Sequence, residues 1–218
     1  MEQNDLPDYE YICIEGNIGT GKTTLCKLLS QDYKCELILE QFTDNPFLPM
    51  FYKEPGRYAF PVELFFMTER YKQLQESLVN KGIFHDYFLA DYFFRKTAIF
   101  AQNNLEEEEY RLFLRFFDIL NSLFPNPDLL VYLHRSVDKL YEQIQARNRL
   151  IEKDLKKSYL LEIQNMYFEF FRTERDYPIL IIDVEDLNFQ DNPEHYQQLK
   201  NLIFRSYQPG VHRISMGS

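Results

Sequence analysis

Gly16-Asn17-Ile18-Gly19-Thr20-Gly21-Lys22-Thr23, followed by Thr24, is the stretch whose reading decides the fold of this chain. It matches G-x-x-x-x-G-K-[ST] at every defined position, and its flanks supply the context the motif requires. Residues 11–15 are a short apolar run of strand character, and 23–30 carry Leu25, Leu28 and Leu29 at helical spacing. Between them, glycines let successive N–H groups turn toward phosphate oxygens, and the following helix adds its positive N-terminal end. In such a loop Lys22 bridges the outer phosphates of a nucleoside triphosphate and Thr23 holds Mg²⁺. The plain alternative is a glycine-rich turn that only caps a helix. Three of the seven glycines of the chain fall in this one loop, which argues against it.

Outward from the loop, the pattern predicts further strands at 36–39, 83–90, 129–133 and 179–183. Helical spacing is predicted over 57–80, ended by Gly82, and over 92–124 with a break near Asn103 and Asn104. Ser136 is placed to cap a helix reaching Arg147, a polar segment occupies 147–157, and two more helices run to 173 and over 193–206. Short strands alternating with helices predict an α/β fold, a parallel sheet covered on both faces. No repeat or low-complexity linker interrupts the chain, so 1–218 is read as a single domain.

Composition narrows the function classes. With 218 residues, 45% apolar and 27% charged, the chain has the balance of a soluble globular protein. A net charge of −10 opposes binding to nucleic-acid polymers and to anionic membrane surfaces. No run approaches the ~18 apolar residues of a membrane span, and residues 1–10 are acidic and polar where an export signal is basic and then apolar. Cys13, Cys26 and Cys35 are odd in number and lack C-x-x-C spacing, so a reducing cytoplasm is expected. Glu106 to Glu109 would spread around a helix as a solvated face, and His85, His134, His195 and His212 show no ligand spacing. Most of the 36 Tyr and Phe are core, with a few available to stack on a flat ligand.

A phosphate loop does not name the acceptor, so ATPase, GTPase, kinase and non-catalytic sensor all remain open. A GTPase needs D-x-x-G and N-K-x-D, and neither string occurs. Glu40 stands at the C-terminal end of the second predicted strand, where open α/β sheets gather their ligands.

Seven segments in order carry a resemblance: GNIGTGKTT (16–24), LEQF (39–42), NPFLPMFY (45–52), RYAFPVELFFMTER (57–70), ADYFFRKTAIFA (90–101), ARNRLIE (146–152) and DVEDLNF (183–189). From about residue 11 to 206 the chain resembles the deoxynucleoside kinases, most of all their small bacterial purine-specific branch. The resemblance implies a P-loop kinase fold with a five-stranded parallel sheet in the order 2-3-1-4-5. It also implies Mg²⁺-dependent transfer of the γ-phosphoryl group of ATP to the 5′-hydroxyl of a purine deoxynucleoside in cytoplasmic salvage, by a homodimer.

Carried over by position, Glu40 matches the general base, and Asp91 with Thr23 the Mg²⁺ site. Tyr52 and Glu152 match the pair on the 3′-hydroxyl, and Phe100 the aromatic that stacks on the base. Glu63 falls where the family usually reads the base edge with glutamine. An ionised carboxylate only accepts, which favours guanine; adenine needs a water or a protonated acid. Arg147 and Arg149 match a mobile lid near 147–157, and residues 183–189 the loop that passes adenine. The chain departs from the pattern at Tyr92, which stands where the family has an arginine. Arg95 or Lys96, on the same helix face as Tyr92, is expected to supply that cation, with Arg70 or the lid arginines as the alternative. Two other readings stay open: a pyrimidine or broad-specificity kinase, and a nucleotide-binding module without catalysis.

Overall fold

Six strands are observed: β1 Tyr11–Gly16, β2 Cys35–Ile38, β3 Tyr87–Ala90, β4 Leu129–His134, β5 Pro178–Asp183 and β6 Gly210–Ser215. They come from a computed structural model that describes residues 9–40, 45–79 and 87–216. All pair in parallel, in the order β2-β3-β1-β4-β5-β6. The first five strands stand in the expected order, and the expected count of five is corrected to six. Residues 210–215 alternate half-buried and exposed and include His212 and Arg213. An edge strand with so few apolar residues gives little periodic signal.

The helices are α1 Lys22–Asp32, α2 Leu48–Phe51, α3 Pro55–Leu74, α4 Lys96–Asn104, α5 Glu107–Asn121, α6 Val137–Arg147, α7 Lys157–Thr173 and α8 Pro193–Ile203. Strand residues alternate between two layers. Cys13, Ala90, Leu130, Tyr132 and Ile181 pack with residues of α3, α4, α5 and α7, and Ile12, Ile14, Leu89, Val131 and Ile182 with residues of α1 and α8. Each such side chain taken fully from water contributes about 1.5–3 kcal/mol. The aromatic excess resolves largely into the first layer, where the Phe94 and Phe117 rings stack at 5.5 Å and Tyr132 meets Tyr167 at 5.0 Å.

Several boundaries moved for identifiable reasons. The helix expected over 57–80 starts at Pro55, because proline suits a first helical turn, and turns π-helical over Gln75–Val79. Asn80, Gly82, 83–86 with His85, the expected chain start 1–8, and Gln41 and Phe42 of the LEQF segment lie outside the described residues. The break near Asn104 is present, but Tyr92 to Arg95 are not helical: α4 begins only at Lys96. Ser136 caps α6 as expected, its hydroxyl accepting the Lys139 N–H at 3.2 Å. The short helix α2 had no expectation, since four residues are too few for a period. Among the described residues no helix is long and apolar enough to cross a membrane.

Candidate active site

Strand register brings three chain exits to one edge. Ile38 lies opposite Ala90, and Ala90 opposite Cys13, so Glu40, Asp91 and the phosphate loop leave the sheet side by side at its C-terminal edge. Asp91 joins them: Oδ1 accepts the Glu40 N–H at 2.7 Å, and Oδ2 accepts the Thr23 hydroxyl.

Gly19 and Gly21 hold left-handed backbone at φ 92° and 93°. A Cβ on Gly21 would sit 2.9 Å from the Phe189 ring, and one on Gly19 would sit 3.0 Å from Ile144, so other residues there are both strained and blocked. Asn17 anchors the loop through Nδ2 to Leu160 O on α7 at 2.7 Å, and its carbonyl accepts Lys22 Nζ at 3.0 Å. Burial, reinforced by Lys96, pulls the Lys22 ammonium down to about 8.

Glu40 is the centre of an ion cluster. Arg70 Nε donates to its Oε1 at 2.8 Å and Lys96 Nζ to its Oε2 at 2.8 Å. Burial alone would raise this carboxyl, but Lys96 and Arg70 outweigh it and hold Glu40 well below the usual carboxylate range. Among the cations weighed for the place of the family arginine at Tyr92, the alternative Arg70 contacts Glu40 as Lys96 does. The Tyr92 ring is buried and its hydroxyl donates to Gln73 Oε1 at 2.8 Å. Of the two cations offered, Lys96 turns inward, while Arg95 pairs with Glu174 at 3.2 Å, because a four-residue turn replaces the expected helix and splits their directions.

These groups wall a cavity of about 120 Å³ with Leu48, Tyr52, Phe66, Phe100 and Glu152. Gly19, Arg147 and Arg149 border it and also a cleft of about 780 Å³ that reaches the 185–190 loop. Arg147 is held by Glu152 through Nε at 2.9 Å, and Arg149 approaches the same carboxylate at 3.8 Å. Glu63 is not on the cavity wall. It is 1% exposed, accepts Asn104 Nδ2 at 2.6 Å, and leaves Oε2 buried without a partner. Burial pushes it up to about 7, with the Asn104 hydrogen bond and Arg70 pulling more weakly the other way. Arg70 donates to Thr97 Oγ1 through Nη1 at 2.8 Å as well as to Glu40, and acts on Glu63 through its charge.

The sequence reading gave Thr97, Asn104 and Arg135 no place in the site. Arg135, buried, holds the loop after β5 through Val184 O at 3.0 Å and Leu187 O at 2.7 Å. Only a charged residue ending an apolar strand hinted at it. The acidic run 107–109 opens α5, with Glu107 paired to Arg111. No group of three or more His, Cys, Asp or Glu that could hold a metal ion exists among the described residues.

Residues 12–207 match the deoxynucleoside kinase family. The chain belongs to that family. It is 31% identical over 196 residues to a deoxyguanosine kinase of Bacillus subtilis (strain 168), covering 87% of this chain and 93% of that one. Against a deoxyadenosine kinase of Dictyostelium discoideum it is 31% identical over 192 residues, covering 87% of this chain and 78% of that one. A solved deoxyadenosine kinase from M. mycoides, with bound dATP, shares the fold at a TM-score of 0.73 and 23% identity, covering 88% and 97% of the two chains. The protein is therefore a deoxynucleoside kinase, a phosphotransferase.

For such a transferase the two neighbouring cations have different expected weights. Lys96→Met should lower kcat about 10²-fold, as loss of one preorganised cation does. Arg95→Met should leave kcat within about threefold and lower Tm instead, since it removes the cation from the buried Glu174 and leaves it to the Arg175 and Asp176 N–H groups. Equal losses of kcat in the two variants would contradict the assignment.

Proposed function

We propose that this kinase transfers the γ-phosphoryl group of ATP to the 5′-hydroxyl of a purine deoxynucleoside, with Mg²⁺. One observation carries the reading: Glu40, clamped by Arg70 and Lys96, shares a single cavity with Lys22 and the phosphate loop. In a loose phosphoryl-transfer transition state the attacking oxygen gives up its proton late, so a base of low pKa can still orient the hydroxyl and accept the proton at the end. Glycines at Gly19 and Gly21, where positive φ and close neighbours make any side chain strained, fit a triphosphate, which Lys22 would neutralise. Thr23 and Asp91 offer only oxygens, the donor type of a hard dication that keeps several waters. Held there, Mg²⁺ would supply positive charge against the triphosphate.

Tyr52 and Glu152 would take the 3′-hydroxyl, and Phe100 would face the base. A cavity of about 120 Å³ is below the usual range for small-molecule sites, which supports residues 147–157 acting as a lid that opens for the nucleoside. On closing, Arg149 and an Arg147 exchanged from Glu152 would meet the phosphates. The purine choice rests on the named relatives and on Glu63. With the lid open, its unpartnered oxygen would accept the adjacent N–H donors of guanine. A homodimer would bury the exposed Leu112, Phe116, Ile119 and Leu123 along and just beyond α5.

Three outcomes test this reading. Glu40→Gln should lower kcat about 10²–10⁴-fold on whichever of the four deoxynucleosides the parent prefers, with nucleoside binding retained; near-normal turnover would remove the base assignment. The ratio of kcat/KM for deoxyguanosine over deoxyadenosine should rise as pH passes upward through about 7, where Glu63 loses its proton and with it the ability to donate. A ratio flat from pH 6 to 8, unchanged in Glu63→Gln, would take Glu63 out of base reading. Light scattering should give a dimer mass for the parent and a monomer for Phe116→Glu.

A further inference from the structure

Glu15 is the penultimate residue of β1, directly before Gly16 of the phosphate loop, and is fully buried. A carboxylate in an otherwise apolar strand costs several kcal/mol unless hydrogen bonds and charges meet it. Here three donors meet it: the Gly16 N–H at 3.1 Å and the Tyr167 hydroxyl at 2.9 Å on Oε2, and the Phe93 N–H at 3.3 Å on Oε1. Each backbone partner can only donate, the arrangement that suits a carboxylate and not an acid. Burial nevertheless raises this carboxyl above its usual range, with Lys96 and Lys22 pulling it back toward the charged form and Glu40 adding to the rise.

The three partners belong to three different parts of the site. Gly16 opens the phosphate loop. Phe93 lies in the turn between Asp91 and Lys96, the residue that grips Glu40. Tyr167 is on α7, the helix whose Leu160 carbonyl anchors Asn17, and its ring stands 6.3 Å from Phe100. One buried side chain therefore touches the donor half, the acceptor half and the helix behind both. A second link between the two halves, on the opposite side of the turn's start, is the Thr23 hydroxyl donated to Asp91 Oδ2.

We propose that Glu15 is a positioning residue that holds the phosphate loop and the Asp91–Lys96 turn in one register, and so sets the γ-phosphate against Glu40. The proposal rests on the kinase reading above. It acts on geometry, where a shift near 1 Å can cost about 10²-fold in rate while ground-state binding survives. Glutamine at this place keeps the volume and one acceptor. Its amide would turn N–H toward the Phe93 or Gly16 N–H, so one of the two attachments is lost.

The test compares Glu15→Gln and Tyr167→Phe with the parent in steady-state phosphoryl transfer, per folded molecule. Glu15→Gln should lower kcat about 10–100-fold with KM for ATP and for the nucleoside within about threefold; Tyr167→Phe, which removes one of the three donors, should lower kcat about 3–10-fold with the same KM pattern. A purely structural role would lower Tm and leave kcat per folded molecule unchanged. An active parent whose Glu15→Gln variant keeps kcat within twofold overturns the proposal. If that variant does not fold, an unchanged kcat in Tyr167→Phe overturns it. A parent inactive on all four deoxynucleosides refutes the kinase reading instead. The proposal is then decided by amide NMR with a non-hydrolysable ATP analogue, where Glu15→Gln should shift the Gly16 and Phe93 resonances together. Movement of only one overturns the coupling.

Discussion

A carboxylate taken out of water needs cations and donors fixed around it, and Glu40 obtains them from two helices that are distant in sequence. Arg70 comes from α3 and Lys96 from the start of α4, and both side chains are nearly buried. Because each ion would be costly alone, the cluster holds these helices and the edge of the sheet in one arrangement. The same arrangement turns Phe66 and Phe100 toward the cavity, since each lies one helical turn from a member of the cluster. Removing either cation would thus disturb both the charge of Glu40 and the wall of the cavity.

The low basicity of Glu40 follows from this clamp and restricts its chemistry. In the proposed reaction it would be a poor proton acceptor at the start and an anchor for the hydroxyl throughout. Phosphoryl transfer tolerates that combination, because positioning and charge neutralisation carry most of the rate. The remaining charges are placed accordingly. Lys22 follows the loop glycines, while Arg147, the last residue of α6, and Arg149, on the segment before α7, border both the cavity and the cleft.

Glu63 shows how a similar residue in a different setting takes a different character. It lies two turns before Arg70 on α3, yet Arg70 is committed to Glu40 and Thr97. One neutral donor, Asn104, is all that meets it, so burial dominates and the carboxyl stays close to neutrality in its titration. Two carboxylates on one side of the sheet are pushed apart in pKa by their partners alone.

The sequence by itself determined whatever its determinants place within a few residues. The phosphate loop needs only nine consecutive residues and the Ser136 cap only four, and both are where the sequence places them; the alternation of strands and helices needs only local period and holds with moved boundaries. Glu40 was legible because it follows a strand in an open sheet. Tertiary structure alone decided between Lys96 and Arg95, since the direction of each depends on a non-helical turn and on Glu174, far along the chain. It alone supplied Asn104 for Glu63, and the three separate donors for Glu15. It alone revealed β6, whose pairing with β5 comes from backbone hydrogen bonds that carry no side-chain signature. Local pattern is written in neighbours along the chain, whereas the partner of a buried charge is chosen by packing across it.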